Sequence, residues 1–173
     1  MKKSVKQLLI LSAALVICVG AYIGVSVYNA NTAKKQAEAE SKTALYSAVM
    51  VSPIKISCQS AGQTRSYSFE NGIWYDSSNR SLSVDQTALI AIVSALDSLK
   101  AVDTLNKPLS LEVYGLEQPL YTVQASDKDN KEFSLRIGTQ TGENYYAQVA
   151  GADAVYTIPS ALANALAAVM TAS

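Results

Sequence analysis

Residues Ile54–Tyr75 read IKISCQSAGQTRSYSFENGIWY, and the period of this stretch decides the fold class. Ile54, Ile56 and Cys58 alternate with Lys55, Ser57 and Gln59; after a turn over Ser60–Gln63, Tyr67 and Phe69 alternate with Ser66, Ser68 and Glu70. A two-residue period sends successive side chains to opposite faces, so these are half-buried strands with one face on a core and the other in water. Asn71-Gly72 supplies the positive backbone dihedrals of a tight hairpin turn into Ile73-Trp74-Tyr75. Trp74, the single tryptophan, is expected in the core; the competing role for its indole is a ligand platform.

Downstream, the period lengthens. Ser83 with Gln86 three residues on makes a capping box, and Leu89, Ile92, Val93, Leu96 and Leu99 then recur at three- and four-residue spacing, which predicts a helix over Asp85–Lys100. Its apolar stripe suits one face of a sheet. The second half repeats the grammar. Tyr121, Val123 and Ala125 alternate, Asp127–Asn130 makes a polar turn, and Phe133, Leu135 and Ile137 alternate again. Gly138–Gly142 reads as a loop, Asn144–Val149 and Ala154–Ile158 as strands, and Pro159-Ser160 opens a last helix with Leu162, Leu166, Val169 and Met170 on one side. The expectation is an α+β domain of antiparallel hairpins with covering helices, arranged as two related β-β-β-α units.

Upstream, the sequence changes character. No charged residue occurs from Gln7 to Ala33, and Leu8–Val27, LLILSAALVICVGAYIGVSV, would span about 30 Å as a helix, the thickness of a bilayer's hydrocarbon core. Lys2, Lys3 and Lys6 precede it and hold the N-terminus in the cytoplasm. No small-x-small cleavage site stands at the polar edge of the run, which favours an uncleaved anchor over a signal peptide. Ile17, where a small residue is needed before Cys18, breaks a lipobox. Asn31–Ser47 is rich in Ala, Lys, Glu and Gln and predicts a helical stalk. The organisation is therefore a cytoplasmic N-terminus at 1–7, a transmembrane helix at 8–28, a stalk at 29–47 and an extracytoplasmic domain at 48–173, with halves of about 48–105 and 106–173.

Composition bounds the chemistry. Among 173 residues there is no histidine, which excludes Ser-His-Asp and Cys-His catalysis and histidine-bound zinc. The 14 basic and 14 acidic residues cancel; the three lysines ahead of the apolar run leave 11 basic against 14 acidic beyond it, with no basic stripe for nucleic acid. Cys58 has no second cysteine in the domain and so no disulfide within it. Asp127-Lys128-Asp129-Asn130 lacks the length, glycine and terminal glutamate of a calcium loop, and Gly138-Thr139-Gln140-Thr141-Gly142 has no lysine after it and no helix to open, so neither a metal nor a phosphate site is expected.

Between the halves runs Leu111-Glu112-Val113-Tyr114-Gly115-Leu116-Glu117-Gln118-Pro119. Gly115 can close a short helix in the left-handed conformation, Leu116 can plug a core, and Pro119 stops the helix resuming. Tyr114 is a packing residue or a recognition residue. The Tyr-Gly-Leu-Glu-x-Pro run, with Leu135-Arg136-Ile137-Gly138, Asn144-Tyr145-Tyr146, Val155-Tyr156-Thr157-Ile158 and the upstream Asn71-Gly72-Ile73-Trp74, resembles the bacterial family called domain of unknown function 4340. The resemblance covers about Ile54 to Leu166. It implies a membrane-anchored protein, often encoded beside gliding-motility-type ABC transport components, and it supplies no catalytic residues.

The sequence thus leads to a single-pass protein of a bacterial plasma membrane, without cofactor, metal or catalytic residues. Its expected role is a non-catalytic accessory or scaffolding subunit with a membrane-protein partner in a transport complex. The alternative is a cell-envelope domain that binds a glycan or peptide. Tyr114, Gly115, Leu116, Pro119 and Trp74 are the candidate structural or partner-binding residues.

Overall fold

The computed structural model describes residues 44–47, 49–50 and 52–171. The membrane span expected over 8–28 and the stalk up to residue 43 lie outside the described residues. No described helix is long and apolar enough to cross a membrane.

The described chain is mostly antiparallel sheet with two helices. β1 (Lys55–Ser60), β2 (Gln63–Glu70) and β3 (Ile73–Asp76) form a meander, α1 follows at Gln86–Asp97, and a short β4 (Asp103–Leu105) leads into a 3-10 turn at Leu111–Tyr114. β5 (Tyr121–Ser126), β6 (Glu132–Thr141), β7 (Asn144–Val149) and β8 (Val155–Pro159) form a second meander, closed by α2 (Ala161–Thr171). All eight strands join one sheet in the order β3-β2-β1-β5-β6-β7-β8-β4. The two halves meet where β1 pairs with β5, Cys58 opposite Val123 and Ile56 opposite Ala125.

The alternation read from the sequence sets the two faces. Ile56, Cys58, Val123, Leu135 and Ile137 point to one side, where Leu89, Ile92 and Leu96 of α1 and Leu162, Leu166 and Val169 of α2 share their core. At roughly 25 cal/mol per Å² of apolar surface removed from water, this layer dominates the domain's stability. Trp74 lies in that core at 5% exposure, its ring 5.1 Å from that of Phe69. The stretch expected as the stalk's end is already part of the domain: Ala44 bridges to Lys100, and Tyr46 is fully buried with its ring edge-on to Phe133.

The second half carries four strands, β5 to β8, ahead of its helix where a β-β-β-α unit is expected, and two local expectations are also corrected. The N-cap of α1 is Asp85, whose carboxylate accepts the Ala88 N–H at 3.1 Å, so the pair Ser83 and Gln86 forms no capping box. The amide of Gln86 turns instead to β3, accepting the Trp74 N–H at 2.9 Å and donating to the Trp74 carbonyl at 2.8 Å. The segment Gly138–Gly142 is not a loop, because β6 runs through it to Thr141, with a register shift between Ile137 and Gln140. The physical reason lies on the other side of the sheet. Finally, β4 had no sequence signal; it is held by pairing with β8, Leu105 opposite Val155.

Candidate functional site

The face of the sheet opposite the helices carries the features that core packing does not consume. One part of it is covered by the segment after β4. The 3-10 turn Leu111–Tyr114 ends at Gly115, which takes the left-handed conformation (φ 67°) and bonds its N–H to Glu112. The reversal drives Leu116, fully buried, into a small second core with Tyr114 and Val155, flanked by Leu105, Leu111 and Tyr146. The backbone there approaches β6 so closely that a Cβ on Gly138 would stand 2.1 Å from the Tyr114 carbonyl oxygen. Thr139 donates its hydroxyl to that same carbonyl at 3.1 Å, and the Arg136 guanidinium reaches the Leu116 carbonyl at 3.5 Å. Gly138 is thus a docking glycine inside a strand, where side-chain-free backbone permits close approach.

Tyr114 is committed to this clamp. Its ring lies edge-on to Tyr146 at 4.9 Å, its hydroxyl accepts the Leu109 N–H at 3.2 Å, and only 6% of the residue is accessible. Pro119 is half-buried, two residues ahead of β5. The structure therefore brings Tyr114, Gly115 and Leu116 together on the back of the sheet, whereas Trp74 lies in the core on the opposite side. Two large apolar side chains point outward from the clamped segment among polar ones such as Glu112 and Ser110: Leu109 is 71% and Val113 60% exposed. A sequence reading centred on Tyr114 passed over them because both look like ordinary core residues.

The rest of the back face is open and polar. Across β2, β1, β5 and β6 the directly opposed residues are Ser66, Ser57, Gln124 and Ser134; the next row is Ser68, Lys55, Ser126 and Glu132. All of these but Ser68 line a hollow of about 410 Å³ that extends to Ser77. Ser57 and Ser66 share a hydrogen bond at 3.1 Å between their hydroxyls. The strand pattern that revealed the hydrophobic face held these serines in its other phase, where they read as solvent-facing.

Elsewhere the polar groups serve the fold. The Asp127 carboxylate accepts the N–H groups of Asp129 and Lys131 at 2.8 and 2.9 Å and so shapes the β5–β6 turn. Among the described residues no cluster of three carboxylate or thiol groups could hold a metal ion. Cys58 is fully buried, and burial pushes its thiol up to about 12. Burial also raises the Tyr46 hydroxyl above the usual tyrosine range, with the Asp97 and Asp127 carboxylates adding to the effect. These shifts mark groups kept neutral by the core, without a substrate-facing partner.

No curated protein and no solved structure matches the chain. A family model does, over residues 74–171, from Trp74 through the clamp to the end of α2; it is described as Domain of unknown function (DUF4340). That span exceeds half of the sequence, and the chain belongs to this family.

Proposed function

We propose, from this membership and from the clamped turn, that the protein is a non-catalytic accessory subunit of a bacterial plasma membrane. The apolar run at 8–28 anchors it as a single-pass helix with its N-terminus in the cytoplasm, and the extracytoplasmic domain docks on another membrane protein, with a transport complex as the partner class the family resemblance suggests. One observation carries this reading. Val113 on the turn and Leu109 just ahead of it are exposed on a segment that Gly115, Gly138, Thr139 and Tyr114 hold fixed. Apolar side chains presented to water on pre-organised backbone lose little conformational entropy on docking and gain the burial of their surface.

Strand edges are a poorer route to a partner. The Trp74 N–H and carbonyl on edge strand β3 are already satisfied by Gln86, and the other edge, β4, has three residues. The test is site-specific photo-crosslinking in native membranes from position 113. The expected result is one dominant protein adduct, lost in a Leu109→Asp/Val113→Asp variant whose melting stays within about 0.5 kcal/mol of the wild type, as for exposed sites generally. No adduct from the wild type, or an undiminished adduct in the variant, rejects the surface.

A second reading has its own support. The hollow of about 410 Å³ on the polar half of the back face falls within the size range of ligand sites, roughly 300–1,000 Å³, and fits a cell-envelope ligand-binding domain.

A further inference from the structure

We propose that this hollow, in which short polar side chains stand among apolar surface from Ile56, Tyr67, Ala125 and Phe133, is a binding site for an uncharged glycan chain, an assignment that rests on the ligand-binding reading above. The hollow crosses the strands. Its floor of Ser66, Ser57, Gln124 and Ser134 lies on four adjacent strands in direct register, with Ser77 at one end donating its backbone N–H to the Ser66 carbonyl at 2.8 Å. Neighbouring strands are about 4.8 Å apart, so a hydroxyl or amide recurs at that interval along the floor.

Three features of this floor select the ligand. The first is where its hydrogen-bonding capacity resides. β1 and β5 are paired along both sides, and on the outer sides of β2 and β6 the Ser66 and Ser134 carbonyls accept the Ser77 and Ala150 N–H groups, so these backbone groups are spent and a peptide has no free edge at the floor to extend as another strand. What remains is side-chain hydroxyl and amide, groups that donate and accept, and sugar hydroxyls offer the same mixture in return. The second is charge. The hollow is lined by one cation, Lys55, and one anion, Glu132, so its formal charge cancels and a polyanion finds no complementary field. The third is side-chain length. Serines have little rotamer freedom to lose, and they let a chain approach the sheet closely.

Full-length protein, held in a detergent without a sugar headgroup, is titrated by calorimetry with a neutral β-linked tetrasaccharide, and in parallel with an uncharged tetrapeptide and with inorganic phosphate. The tetrasaccharide is expected to bind, and Ser57→Val and Ser134→Val each to weaken it about tenfold or more, the equivalent of one lost hydrogen bond. Valine is favoured in strands, which offsets the Ser57–Ser66 hydrogen bond lost in the first variant, so both should fold and melt close to the wild type. Gln124→Ala, at an exposed position, gives the same readout should either valine variant melt early. Unchanged saccharide affinity in folded variants overturns the proposal. Peptide or phosphate binding without saccharide binding overturns the glycan assignment and leaves the ligand-binding reading in place; no binding of any probe overturns both.

Discussion

At Gly138 a built Cβ would lie 2.1 Å from the Tyr114 carbonyl oxygen, and at Gly115 it would lie 2.7 Å from Thr139 Cγ2 on a backbone already at φ 67°. The two glycines face each other across one contact but fail differently when substituted. Gly138→Ala pushes backbone from backbone at 2.1 Å and should cost about 3 kcal/mol, the upper end for overpacking, while Gly115→Ala meets the Thr139 methyl first, with the Thr139 backbone nitrogen farther off at 3.0 Å, and adds left-handed strain, and should cost about 1–2 kcal/mol. Urea melts that ranked them in reverse order would reject the clamp. A second residue-scale prediction concerns Cys58. Its folded pKa of about 12 lies above the 9.0 of a free thiol, so the unfolded chain ionises first. Its contribution is therefore complete below pH 9 and is lost progressively up to about 12. By about pH 10.5 the loss should reach about 2 kcal/mol relative to a Cys58→Ala variant followed over the same pH series. Parallel pH profiles of the two proteins would contradict it. Of these residues, Gly115 was legible from sequence because a glycine after a short helical stretch has a local signature, whereas Gly138 was read as a loop because the atom it makes room for lies more than twenty residues away in the chain.

The elements show the same division between local and distant causes. The β1–β2–β3 meander was legible because alternation and the Asn71-Gly72 turn are both local, and the turn has the expected positive dihedrals, φ 52° and 84°. The helices were legible from their apolar stripes. β4 was not, since Asp103-Thr104-Leu105 becomes a strand only through pairing with Thr157-Tyr156-Val155 some fifty residues on. The start of α1 was misread for a related reason: the Ser83 and Gln86 spacing matches a capping box, but Gln86 satisfies both backbone groups of Trp74 on the sheet edge, and Asp85 caps the helix. This assignment predicts a ranking. Gln86→Ala leaves a part-buried N–H and carbonyl unpaired and should cost about 2 kcal/mol. Asp85→Ala should cost about 1 kcal/mol as the loss of an N-cap, and Ser83→Ala almost nothing. Equal losses at Ser83 and Asp85 in thermal melts would restore the capping box. Gln86→Ala should also lengthen the free edge of β3, so concentration-dependent association in light scattering is expected of that variant alone.

At the scale of the molecule, the sheet separates tasks by face. One face is sealed by two helices; the other is divided between a clamped segment bearing the exposed Leu109 and Val113 and an open row of short polar side chains. Neither exposed feature helps the core, and both point away from it, an arrangement suited to a domain held still while something else is bound. The proposed anchor would supply that restraint, because fixing the domain to a membrane replaces three-dimensional encounter with a tethered one and raises the effective concentration of any membrane-bound partner. The proposed anchor is read from the sequence: twenty uncharged, largely apolar residues from Leu8 to Val27, three lysines ahead of them and no cleavage site at the outer edge. Three outcomes follow for the mature protein. It should stay in the membrane pellet after alkaline carbonate washing, and Edman sequencing should not begin near Val27 or Ala33. Protease added outside intact spheroplasts should remove the domain and spare the first residues. A soluble mature form, or a domain protected from external protease, would reject the anchored topology. Deleting residues 2–30 provides the complementary arm. Because Tyr46 and every other described core residue lie beyond the deletion, the truncated protein should still fold, leave the membrane, and lose the position-113 adduct at native expression levels. If the soluble form kept that adduct at full yield, the membrane would be dispensable for partner binding and the anchor would need another purpose.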